Sequence, residues 1–430
     1  MRILLVTDAF PPRCGGSGWS TYELARALRG RGHAVSIVLV RAGRGARHGA
    51  RTYDGLPVVE EAFPAPDVPY ARNYFKNERL YPRLAARLRA RLVSDGIDIV
   101  HGQHAMSGPA AIEAARSAGV PAVCTVRDYW PVCYWSTLIH DPASRSLCPA
   151  CTTAMMHVCI RPRAGALWPL ARPLVPYMRG NLRRKRAALA RADAVVAVGS
   201  AIARDLRARA PELSQTRVEV IPNPVDLAAV RAAAAGPPPL DGLYAVYVGK
   251  LAENKGSAFL VPAVQAARLS WPLVVVGDGP LRAAVEAQAR RAGLDARFLG
   301  WRPREEALAA LAGAAFVIFP SHGPESLSRV LLEAGALGVP AAAMDTGGTR
   351  DIVEHEVTGL LSAAPEELGA HVARLAADPD LRRRLGAAAR AHVERTFDST
   401  RVAARVEALY RELLDARSRR DVPAGDLCRG

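Results

Sequence analysis

The sequence predicts an α/β fold of two doubly wound domains of similar size. Three observations predict it. The chain has 430 residues, more than one ordinary core holds. Short apolar runs alternate with stretches of helical spacing. A proline-flanked break at Ile221-Pro-Asn-Pro-Val225 is followed by the same rhythm again, and helices do not run through such a break.

The elements follow in order. Ile3–Val6 is a continuous apolar run, suited to a strand buried on both faces. Thr21–Gly30 has helical spacing and a glycine stop. Val35–Val40 predicts the next strand, Pro82–Val93 an arginine-rich amphipathic helix, and Ile97–Val100, Ala122–Val126 and Ala194–Val198 further short strands. This β-α-β order implies a parallel sheet. After the break, strands are expected at Tyr244–Val248, Leu273–Val276, Ala296–Leu299, Phe316–Phe319 and Ala341–Met344. Helices are expected at 256–269, 280–293, 304–313, 326–338 and 365–376, with a last one at about Thr400–Ala416. The expected division is 1–222, 223–397, a closing helix within 398–417 that packs back on the first domain, and a frayed tail at 418–430. Residues 133–192, with four cysteines, several prolines and Arg183-Arg184-Lys185-Arg186, interrupt the pattern and read as an insertion.

Half of the residues are apolar and 23% are charged, which suits a globular chain and excludes a disordered one. No apolar run has the length of a bilayer span, and the opening MRILLVTDAF reads as a buried strand, not a signal peptide. A cytoplasmic protein is the expectation. The net charge is +16, and residues 1–200 hold 28 Lys/Arg against 13 Asp/Glu. That asymmetry points to an anionic partner for the first half, a membrane surface or a phosphorylated acceptor; the other reading is compositional drift toward arginine. Aromatic residues make up only 6% of the chain, which argues against a basic nucleic-acid binder with stacking platforms.

The chemistry gathers at expected strand ends of the second half, where α/β folds bind ligands. Glu325 and Glu333 lie eight apart, after a strand and a loop and at the start of a helix. Amides of Leu327 and Ser328 at that helix start suit a diphosphate. Glu333 suits a ribose diol and Glu325 sugar hydroxyls, against the plainer reading of a capping acid and a solvated helix glutamate. Lys250, after Val248-Gly249, and Lys255, in Asn254-Lys255-Gly256, supply positive charge for a leaving diphosphate. Gly277-Asp278-Gly279-Pro280 and Gly347-Gly348-Thr349 are further turns that allow close backbone approach. In the first half, Gly15-Gly16 precedes a helix, either a phosphate turn or a plain tight turn.

These stretches resemble the retaining glycosyltransferases of family 4, which have the GT-B fold of two Rossmann-like domains around a deep cleft. The resemblance rests on VGKLAENKG, GDGP, ESLSRVLLEA and GGTRDIVEHEVTGLL, and more loosely on DAFPPRCGGSG, DIVHGQH and VRDYWPVC. It covers about residues 1–417. It implies that Glu333 binds the nucleotide ribose, Glu325 the transferred sugar, and Lys250 and Lys255 the diphosphate, with Gly15, Gly16, Gly277, Leu327 and Ser328 around the donor. It further implies that His104 lies near the reacting sugar, with His101 buried in its strand. Asp128 either faces the acceptor or caps a helix or pairs with Arg127. The family usually has Arg at the place of Lys250 and often Gly at the place of Ser328. The implied reaction moves a hexose from a UDP- or GDP-sugar, with retention and without a catalytic metal, to a lipid-linked or glycan acceptor of the cell envelope. A small natural-product acceptor is the alternative. Sugar-nucleotide epimerases share the shape but lack this glutamate context.

Cys133, Cys148, Cys151 and Cys159 offer four soft ligands, with a knuckle spacing at Cys148-Pro-Ala-Cys151. They suit either a structural zinc or buried free thiols. Trp168–Arg186 mixes apolar side chains and cations, as a membrane-interface segment or a plain lid does.

Overall fold

The computed structural model describes residues 1–12, 14–68, 71–141 and 146–421. Its strands are β1 (Arg2–Thr7), β2 (Ala34–Ala42), β3 (Gly49–Tyr53), β4 (Leu56–Phe63), β5 (Ile99–Gly102), β6 (Ala122–Val126), β7 (Ile139–Asp141), β8 (Ser146–Leu147), β9 (Ala194–Ala197), β10 (Val218–Val220), β11 (Ala245–Val248), β12 (Leu273–Val276), β13 (Ala296–Gly300), β14 (Phe316–Phe319), β15 (Ala341–Met344) and β16 (Leu360–Ser362). They form an eight-stranded sheet of order β10-β9-β6-β5-β1-β2-β4-β3, a six-stranded sheet of order β13-β12-β11-β14-β15-β16 and a two-stranded sheet of β7 and β8. The six-stranded sheet is parallel throughout. The first is parallel except at its edge, where β3 and β4 pair antiparallel.

The period-2 geometry of β1 shows how the eight-stranded sheet is covered on both faces. Ile3 and Leu5 join a core with Leu24 and Leu28 of the helix Gly16–Gly30 and with Val402, Val406 and Tyr410 of the helix Ser399–Asp421. Leu4 and Val6 point the other way, against Leu84, Leu88 and Ile112. The C-terminal helix therefore packs on the first sheet, where the Tyr410 hydroxyl lies 2.6 Å from His101 Nδ1. That helix continues to Asp421, past the expected start of the tail at 418, and residues 422–430 lie outside the described residues.

The first helix starts at Gly16, a turn before the expected Thr21. The helix Pro379–Thr396 was not expected from the spacing; it starts at an Asp378 cap whose side chain accepts from the Leu381 N–H. The edge hairpin was also not expected. Its turn places Asp54 and Gly55 at positive φ, 49° and 70°, the geometry that an Asp-Gly pair supplies. Residues 133–192 form mostly helix: Thr153–Ala164, Trp168–Ala171 and Leu174–Leu189 pack on a small core of their own. Among the described residues no helix is long and apolar enough to cross a membrane.

Candidate functional site

Loops from the two sheets meet in a cavity of about 220 Å³. Gly16, Ser20 and Arg127 line it from the first half, and Gly249, Lys255, Glu325, Leu327 and Ser328 from the second.

Local backbone geometry places the central pair. Lys255 ends a single turn, Glu253–Lys255, and Gly256 follows at φ 63°. A Cβ there would lie 1.7 Å from the Pro320 carbonyl oxygen, so only glycine lets this turn press against the loop after β14. Lys255 Nζ then sits 2.5 Å from Glu325 Oε1. The Ser321 hydroxyl donates to the same oxygen. The Glu325 carbonyl accepts from the Gly348 N–H at 2.7 Å, and from the Tyr129 hydroxyl, across the cleft, at 3.3 Å. Gly347 has φ +55°, and a Cβ on it would stand 2.1 Å from that carbonyl.

The helix after Glu325 begins later than its spacing predicts, at Arg329, because the Ser328 hydroxyl caps it by accepting from the Leu331 N–H. Glu325 therefore stands in the loop, not at the helix start. Glu333 lies one turn into the helix. Its Oε1 accepts from Arg304 at 2.9 Å and from Arg329 Nε at 3.0 Å. Arg329 also pairs with Glu23 of the first helix, and Arg304 approaches the same carboxylate at 3.5 Å. Glu23 is 2% exposed. Burial disfavours the Arg329 charge, but the Glu23 and Glu333 carboxylates outweigh it and raise the guanidinium above its usual value. Arg304 also stacks over the Trp19 ring, 4.4 Å from its centroid. Two arginines of the second half thus join Glu333 to the first.

Arg127 is 7% exposed. It donates to the side-chain oxygens of Asn223 and Gln103, and among the described residues it has no carboxylate partner. Burial, then the nearby Arg329, push it down to about 9. Such a cation on a cavity wall is poised for an anion.

His104 is half-buried, and desolvation, with Arg127 nearby, pushes it down to about 3, so it is neutral. The Asp8 N–H donates to its Nδ1 at 3.3 Å, which leaves the ring proton on Nε2, an atom without a partner among the described residues. His101 is equally neutral, with Nε2 2.6 Å from the Thr125 hydroxyl; with both nitrogens occupied, it serves the core. Burial pushes the Asp8 carboxyl up to about 7. Asp128 Oδ1 accepts the Trp130 N–H at 2.8 Å, and burial raises its carboxyl. Beside it, Lys185 is pushed down by burial to about 8.

Gly15, Lys250, Gly277, Glu333, His104 and Asp128 do not line this cavity. Gly15 is the residue before the first helix. The Lys250 side chain is exposed, and Gly277, at φ +140°, packs beneath the Gly249 carbonyl. The spacing had not singled out Glu23, Arg304 or Arg329, nor given Arg127 a place at the donor.

Of the two readings of the four cysteines, buried thiols find support and a structural zinc does not. Cys133, Cys148, Cys151 and Cys159 line one small space, yet no three His, Cys, Asp or Glu among the described residues come together to hold a metal ion. Cys148 and Cys159 instead donate to the carbonyls of Ala150 and Met156, at 3.2 and 3.4 Å. Burial raises both thiols and pushes Cys151 up to about 12. Low-dielectric packing keeps them as neutral thiols.

Two doubly wound sheets with a charged cavity between their loops define a GT-B architecture. Residues 14–229 match Glycosyltransferase Family 4, and residues 232–392 match Glycosyl transferases group 1. The chain belongs to glycosyltransferase family 4. It is 28% identical over 423 residues to the GDP-mannose-dependent alpha-mannosyltransferase of Mycolicibacterium smegmatis, covering 91% of this chain and 92% of that one. It is 36% identical over 183 residues to the 2-deoxystreptamine glucosyltransferase of Streptomyces kanamyceticus, covering 39% of this chain and 47% of that enzyme. The sucrose-phosphate synthase of Thermosynechococcus elongatus superposes with a TM-score of 0.71 at 21% identity, over 97% of this chain and all of that one.

Proposed function

We propose that this glycosyltransferase moves a hexose, with retention, from a UDP- or GDP-sugar to a lipid-linked or glycan acceptor in cell-envelope synthesis. The observation that carries this reading is the cavity that joins the Lys255–Glu325 pair to Arg127, a buried cation without a carboxylate partner among the described residues. A diphosphate supplies the missing negative charge. Lys255 and Arg127 stabilise the charge that builds on it as the glycosidic bond breaks, a task they perform without a catalytic metal. Ser328 and Leu327 face the diphosphate, and Gly16 closes on it from the other side. Lys250, Gly15 and Gly277 border the same turns.

Arg304 and Arg329 fix one oxygen of Glu333, and the other meets the ribose diol. Glu325 orients the sugar hydroxyls, and His104 offers its Nε2–H to a sugar oxygen. In same-face attack, the leaving diphosphate takes the acceptor proton. Asp128, with Lys185 beside it, marks the acceptor side. The protein acts on the cytoplasmic face, its basic first half toward an anionic surface.

A screen of UDP-, GDP- and ADP-sugars for slow hydrolysis and for a rise in melting temperature tests this. One donor class should raise the melting temperature, and Glu333→Ala should weaken that donor's binding about tenfold or more. No response to any donor overturns the reading. The relation to the 2-deoxystreptamine glucosyltransferase supports a second acceptor class, small natural products. Product analysis with a polyprenyl-phosphate-linked sugar and with an aminocyclitol separates the two.

A further inference from the structure

From residue 142 to residue 192 the chain carries nine arginines and one lysine and no carboxylate. More than half of the net charge of +16 lies in this stretch. Carboxylates from elsewhere neutralise part of it: Glu78 pairs with Arg184, Glu212 with Arg186 and Glu113 with Arg191. Arg161, Arg172, Arg179 and Arg183 are exposed and have no carboxylate partner among the described residues.

The same helical cap exposes apolar side chains. Between its helices Thr153–Ala164 and Leu174–Leu189 runs the turn Gly165–Ala171. On it, Leu167 is 66% and Leu170 78% exposed, and Val158 on the preceding helix is 48% exposed. Arg172 covers one face of Trp168 in this turn, 5.4 Å from the ring centroid. Meanwhile Met156, Ile160, Val175 and Met178 form the cap's own core. The exposed leucines are therefore not needed to fold it.

We propose that this cap is the membrane-docking surface of the enzyme, and that its occupant is an anionic lipid bilayer. The inference rests on the reading of a lipid-linked acceptor and gives that reading a place on the chain. Charge alone suits any polyanion. Protruding leucines flanked by unpaired arginines suit a surface that is anionic outside and apolar beneath, as a headgroup region is. Residues 1–200 carry a net charge of +15 and this stretch supplies +10 of it, so the attraction is strongest at the cap.

The test is sedimentation of the full chain with vesicles, without sugar nucleotide. It should pellet at low salt with equimolar phosphatidylglycerol and phosphatidylcholine, and remain soluble with phosphatidylcholine alone. The Leu167→Ser/Leu170→Ser variant should keep the wild-type melting temperature and lose about tenfold or more in partitioning. Arg161→Gln and Arg183→Gln should each lose about fivefold. Equal recovery on neutral and anionic vesicles, or no recovery on either, overturns the proposal. So does binding that ignores the leucine variant and is competed by oligonucleotide, the mark of a general polyanion site. Donor binding is read separately, from the melting shift with nucleoside diphosphates, so failure here leaves the proposed reaction standing.

Discussion

At the scale of residues, the cavity depends on charges placed without full compensation. Removing Lys255 takes away the cation nearest Glu325 Oε1. Lys255→Ala should lower kcat by about 10²–10³, as loss of an electrostatic stabiliser does, with a smaller change in donor KM. Steady-state kinetics with the identified donor checks it. Asp8 gives a pH signature. A carboxyl whose pKa is higher in the folded than in the unfolded state holds its proton more tightly when folded, so its contribution is best at low pH. That contribution falls as pH rises from the unfolded value, about 4, through the folded value of about 7. Asp8→Asn removes this dependence. Its stability relative to wild type should rise between about pH 5 and pH 8, by at most about 4 kcal/mol, in denaturant melts at the two pH values. That Glu325 and Lys255 come to one cavity was legible in the sequence because both closely follow a strand end. Arg127 was visible only as a neighbour of Asp128. Its meaning comes from three-dimensional surroundings: two amide acceptors and, among the described residues, no carboxylate.

At the scale of elements, glycines let the loops of the second half meet. Gly256→Ala should cost about 2 kcal/mol or more, since it adds a collision with the Pro320 carbonyl to a left-handed backbone. It should also lower turnover by displacing Lys255, as thermal melts and initial rates on one preparation would show. The parallel strands were legible because buried strands read as continuous apolar runs. The helix 326–338 was misplaced at its start because Ser328 reads equally as a helix residue or a cap, and only its bond to the Leu331 N–H decides. The β3–β4 hairpin was missed although Tyr53-Asp54-Gly55-Leu56 carries its turn signal, since β3 is polar and exposed and β4 carries Glu60 and Glu61 in its second half. The cysteine spacing left zinc and buried thiols equally open, because spacing does not say how far burial raises each thiol.

At the scale of the whole molecule, Glu23, Arg329, Glu333 and Arg304 form one network across the two halves. Glu23 belongs to a helix that, in sequence, is simply amphipathic, so its link to residues about three hundred positions later was not legible. Glu23→Ala should cost about 3–5 kcal/mol, because it leaves buried cationic charge facing an empty site. Glu23→Gln should cost less in stability while raising donor KM, since it frees Arg329 to draw Glu333 away from the ribose. Melts and kinetics on both variants separate the two effects. Binding of a nucleoside diphosphate in the cleft is what every step above requires. Calorimetric titration of UDP, GDP and ADP into the wild type, Lys255→Ala and Arg127→Met measures it directly. One diphosphate should bind the wild type, and both variants should bind it about tenfold or more weakly with their folds intact. Undiminished binding by both variants, or no binding of any diphosphate by the wild type, would contradict the account.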